Sequence, residues 1–193
     1  MVGSALPMAA TRTSTARSAR AVHSTWVLLG AVLLICAATA LILVHDPRIA
    51  GVVVLVAGGV ILWGWYLAHA QGGARARFLS MLVDPLHDAA ILGAVAWVAR
   101  PKEPRVAALA LVALGVCYVA SYERARADAL GFRTFESVGY RAVRSALIGI
   151  GLLAAQMTIA LWLVIAVGGA ALVARAANVA IQHRKPGRDG ASP

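Results

Sequence analysis

Acidic side chains are what this chain has least of: eight Asp and Glu stand against 18 Lys and Arg, and no acid occurs between Asp46 and Asp84. Charge of either sign is scarce as well, at 13% of residues against 61% hydrophobic. A soluble domain of 193 residues cannot hide that much apolar surface, so the composition excludes one and points to an all-α integral membrane protein. Cysteine is limited to Cys36 and Cys117, each inside an apolar run, which excludes a disulfide framework and leaves both as small hydrophobes. Aromatics make up 6% of the chain and are not interleaved with a basic patch, so the net charge of +10 does not read as nucleic-acid binding. The arginines sit instead at the ends of apolar segments, where they set topology and meet lipid headgroups.

The apolar segments divide the chain. Residues 1–24 form a basic arm carrying Arg12, Arg17 and Arg20, without hydrophobic period and expected to be disordered. Residues 25–181 form the membrane domain, and 182–193 a basic polar tail. The first run, Thr25 to Val44, has the roughly twenty residues that a full span needs and exceeds a signal-peptide core, so it reads as an uncleaved span. Pro47 closes the connection after it, and a second span runs from Ile49 to His69, with Trp63, Trp65 and Tyr66 as an interfacial belt. Gln71 to Arg77 reads as a polar loop. The third span covers Leu79 to Ala99, and the fourth covers Val106 to Tyr122 with a charged helical extension through Leu130. Gly131 breaks that helix, and a fifth begins at Glu136 or Ser137. The apolar stretch from Ser145 to Ile181 is too long for one span and divides at Gln156. Gly58-Gly59 and Gly168-Gly169 lie in apolar runs and read as places of close helix packing, since a phosphate loop would need a strand before it.

Six spans put both termini on one side. With that side cytoplasmic, only Arg48, Arg100, Lys102 and Arg105 of the 18 basic residues fall outside, a positive-inside pattern. The expected location is the bacterial cytoplasmic membrane, with both termini cytoplasmic. The most informative stretch is Val83-Asp84-Pro85-Leu86-His87-Asp88. Two acids four residues apart share one face of a helix, where they can share a ligand, and acids inside a membrane are expensive enough to count as functional by default. A structural ion pair with an arginine is the competing reading.

Two motifs resemble those of the CDP-alcohol phosphatidyltransferase family, six-span enzymes that transfer a phosphatidyl group from a CDP-linked donor to an alcohol. Leu82-Val83-Asp84-Pro85-Leu86-His87-Asp88 is similar to the L-D-P-x-A-D-K variant of the signature found in phosphatidylglycerophosphate synthases. Ser121-Tyr122-Glu123-Arg124-Ala125-Arg126-Ala127-Asp128-Ala129-Leu130-Gly131 is similar to the S-Y-x-R-A-R-A-E-x-x-G that follows the family's fourth span. The signature's first half, D-x-x-D-G-x-x-A-R, is degenerate here: ungapped counting puts Trp63 and Tyr66 where its acids belong. Tyr140 and Val143 also stand where many relatives keep acids.

The resemblance implies a six-helix fold, a homodimer or a hetero-oligomer with an intact relative, and a site at the cytoplasmic face. Asp84 and Asp88 would be what remains of a four-carboxylate cage for Mg2+ or Mn2+, with Asp88 as the base that activates the acceptor hydroxyl. Glu123, His69 and His87 would be the substitute ligands, although imidazoles suit softer metals. Where they hold no metal, His69 reads as a capping histidine and His87 as an interior one. Arg124, Arg126, Arg141 and Arg144 would hold phosphates, since guanidinium forks match phosphate oxygens. Three functions follow as expectations. One is phosphatidyl transfer from CDP-diacylglycerol to a polar alcohol with release of CMP. The second is a non-catalytic relative that binds lipid or partners an intact enzyme, and the third a small transporter using Asp84 and Asp88 as an ion relay.

Overall fold

The computed structural model describes residues 8–44, 46–71, 74–132 and 138–183. They form six helices: α1 (Met8–Leu43), α2 (Pro47–Gln71), α3 (Ala74–Ala99), α4 (Pro104–Ala129), α5 (Val138–Leu153) and α6 (Met157–His183). All but α5 are long and apolar enough to cross a membrane. The 16 residues of α5 rise about 24 Å, short of a hydrocarbon core of about 30 Å.

Local chemistry explains the helix ends. Pro47 and Pro104 stand at first helical positions, where the missing N–H costs nothing. At the end of α4, Gly131 takes φ 80°, which lets Phe132 N–H reach the Ala127 carbonyl (3.0 Å) and Gly131 N–H reach Asp128 (3.1 Å). This is a Schellman closure with glycine at its left-handed position. The α5–α6 turn closes in the same way, Gln156 N–H to Gly151 O (2.9 Å) and Ala155 N–H to Leu152 O (3.3 Å), but with Ala155 at φ 53°.

Two expectations are corrected. The helix α1 reaches back to Met8, so residues 8–24 are helical instead of disordered; Ala and Arg are strong helix formers, and no proline interrupts the run. Ala74 to Arg77 begin α3 instead of completing a loop. Pro85 lies inside a continuous α3. The expected start of α5, at Glu136 or Ser137, lies outside the described residues.

The helices pack as a ring in the order α1, α2, α5, α6, α4, α3, closing on α1, with α2 also touching α3. Small side chains set the spacing: Ala38, Ala50, Ala94, Ala96, Ala110 and Ala113 all belong to the main core, alongside Ile91, Leu92, Ile148 and Leu161. Where α2 crosses α5 the backbones nearly touch. A Cβ on Gly51 would lie 2.7 Å from the Gly149 carbonyl oxygen, and one on Gly58 would lie 2.8 Å from Ser145 Cβ. Of the glycine pairs singled out in the sequence, Gly58 and Gly168 make such contacts, whereas Gly59 and Gly169 meet nothing within 4 Å.

Candidate functional site: an arginine-lined cavity

The two aspartates of α3 face inward, Asp84 at 7% exposure and Asp88 at 1%. Opposite them, α5 presents Arg141 and Arg144, three residues apart and so on one face as well. The two rows pair in register. Arg141 Nη1 lies 2.5 Å from Asp84 Oδ2, and Arg144 Nη1 lies 3.0 Å from Asp88 Oδ2. Spacing alone put each pair of like charges on one face, but only the packing of the ring brought the two faces together.

Beside these pairs is a cavity of about 220 Å³. Asp84 lines it from α3, Ser121, Arg124 and Asp128 from α4, Tyr140, Arg141 and Arg144 from α5, and Arg175 from α6. Arg124 Nε is 3.8 Å from Asp128 Oδ2, one helical turn away. Arg175 is buried, and its Nη1 donates to the Ala120 carbonyl at 2.8 Å. Tyr140 lies between two guanidinium groups, with Arg144 5.4 Å and Arg175 5.9 Å from its ring centre. Its hydroxyl is 3.0 Å from where a Cβ on Gly168 would stand, so the glycine makes room for the ring.

The remaining sequence-derived site residues separate. Asp88 does not line the cavity; it lies behind Arg144, with His87 Nδ1 3.5 Å from its other oxygen. His87 is itself buried, and its Nε2 has no hydrogen-bond partner among the described residues. His69 stays on its own helix, Nδ1 3.0 Å from the Trp65 carbonyl, with the ring packed 4.2 Å from Trp65. Glu123 does not reach the cavity; its Oε2 is buried without a hydrogen-bond partner among the described residues. Arg126 is exposed and does not line it either, because two residues turn a helix by about 200° and carry it to the far side from Arg124. The aromatic belt divides too. Trp63 and Tyr66 are exposed and stack at 5.7 Å, whereas Trp65 turns inward with Arg141 5.7 Å from its ring.

Arg175 is the residue that sequence reasoning passed over. It was counted only as one more basic residue of the inner face, although a lone charge within the apolar run from Met157 to Ile181 was a signal in itself.

These side chains do not fit Mg2+ or Mn2+ as they stand. A hard divalent cation takes six or more oxygens. Here both inward carboxylates already face guanidinium groups, and among the described residues no cluster of three or more His, Cys, Asp or Glu could hold a metal. What the arrangement can do is receive an anion, with four guanidinium groups from three helices around one opening. No protein-family model matches this chain, and no curated protein matches it either.

Proposed function

We propose that this is a six-helix membrane protein of the CDP-alcohol phosphatidyltransferase type that binds a phosphate-bearing ligand at its cytoplasmic face without transferring it. The observation that carries this reading is the pairing of Asp84 with Arg141 and of Asp88 with Arg144. A transferase would need those carboxylates open to a cation and to the acceptor hydroxyl. Here they neutralise arginines instead: each carboxylate lies against one Nη1 as a buried ion pair, which leaves the other N–H groups of that guanidinium for a ligand. Arg124 and Arg175 complete the opening from α4 and α6, which stand between α3 and α5 in the ring. Tyr140 supplies a hydroxyl and the ring on which Arg144 and Arg175 rest.

The orientation rests on the distribution of basic residues, and cysteine labelling after Arg77 and after Lys102 checks it. The first should be protected from external reagent and the second labelled.

The test of function measures binding and turnover on one preparation. With CDP-diacylglycerol, an alcohol acceptor and magnesium, the purified protein should release no CMP, while a phosphate-bearing ligand should raise its unfolding temperature. Magnesium-dependent CMP release that disappears in Asp88→Asn would refute the non-catalytic reading and restore the transferase. Release only after co-purification with an intact relative would instead make this chain a partner subunit.

A further inference from the structure

Among the described residues, each arginine that lines the cavity has a carboxylate near it, with one exception. Arg141 has Asp84, Arg144 has Asp88, and Arg124 lies near Asp128. Arg175 is 7% exposed, and its contacts are neutral: the Ala120 carbonyl and the face of Tyr140. It meets no carboxylate among the described residues, although a buried guanidinium without a counterion is strongly disfavoured. Among the described residues Arg175 is therefore the cation lining the cavity that lacks one matching negative charge beside it.

We propose that the ligand supplies that one charge: the cavity takes a singly charged phosphodiester and takes it without a divalent cation. This rests on the reading of the cavity as a phosphate site. A phosphodiester carries a single negative charge, whereas a phosphomonoester carries about 1.5 to 2 at neutral pH. A diphosphate carries more still and would normally need metal ions to be neutralised. One phosphodiester matches Arg175, and any further charge would meet Asp84 on the same cavity wall. The volume, about 220 Å³, equals roughly seven waters at about 30 Å³ each, room for a phosphodiester and a small alcohol. The arginine–aspartate pairs take the place of a metal: they leave cationic N–H groups at the cavity while offsetting their charge.

The ligand chemistry could come from a lipid headgroup or from a soluble diester, and the experiment separates the two. The full chain in maltoside detergent, which contains no phosphate, is titrated with short-chain phosphatidylglycerol, glycerophosphoglycerol, glycerol 3-phosphate and CDP. Each titration is run in EDTA and again in magnesium. The expected result is diester binding that is equal in both buffers and at least about tenfold tighter than binding of the monoester or of CDP. Binding of both diesters assigns recognition to the phosphodiester itself, and binding of the lipid form alone adds the acyl chains to it. Arg175→Gln should weaken diester binding about ten- to a hundredfold, and Arg175→Lys, which keeps the charge, should recover most of it. If Arg175→Gln does not fold, Asp128→Asn tests the same charge balance at an exposed position and should shift preference toward glycerol 3-phosphate. Tighter binding of CDP or the monoester, a magnesium requirement, or a preference unmoved by Asp128→Asn would overturn the inference and leave the cavity a phosphate site. Failure of every phosphate ligand to bind would instead overturn the functional reading beneath it.

Discussion

Asp88→Asn removes one charge, keeps the side chain's shape, and separates two roles for the aspartate. If Asp88 were a base or a metal ligand open to the site, its neutralisation would cost activity and leave the fold intact. In the ring it is instead the counterion of Arg144, 3.0 Å away, with the two side chains 1% and 4% exposed. Removing one partner of such a pair leaves the other charge buried and uncompensated, a loss of about 3–5 kcal/mol. Most folded proteins are stable by only about 5–15 kcal/mol, so the variant should lose a large part of its margin. The assay is reversible unfolding in mixed micelles of increasing denaturing-detergent fraction, followed by far-UV circular dichroism. The double substitution Asp88→Leu with Arg144→Met should recover most of the loss, because a well-packed apolar pair avoids the desolvation penalty that the ions carry. An Asp88→Asn variant as stable as the wild type would refute the reasoning, since no buried guanidinium could then depend on that carboxylate.

Two further outcomes follow from the backbone. Gly51→Ala should destabilise the protein by about 1–3 kcal/mol or more in the same assay, because the added Cβ meets the Gly149 carbonyl oxygen at 2.7 Å and Leu153 N at 2.9 Å, and backbone yields less readily than a side chain. Gly59→Ala, with nothing within 4 Å, should show no such loss. Ala155→Gly should stabilise by about 0.5–1 kcal/mol, since alanine there holds φ 53°, a left-handed position that favours glycine. A loss of stability in Ala155→Gly would mean that the turn is not strained.

The elements that local chemistry controls were legible in the chain. Pro47, Pro104, Gly131 and Gln156 mark helix ends or turns because proline and glycine act on their own backbone, and a polar residue in an apolar run needs a place outside hydrocarbon. The i, i+4 spacing of Asp84 and Asp88 put both on one face for the same local reason. Sequence by itself also determined the class, since so apolar a composition admits no other solvent. Only the tertiary structure decided what those acids face. Asp84 and Asp88 stand more than fifty residues from Arg141 and Arg144, and nothing local selects an arginine over a metal as their counterion. It likewise decided that Arg124 enters the cavity and Arg126 does not, and that Arg175 joins the site from α6. Each depends on which helix faces are turned toward one another around the ring, and that is set by close packing at Gly51, Gly58 and the core alanines, summed over contacts between distant segments.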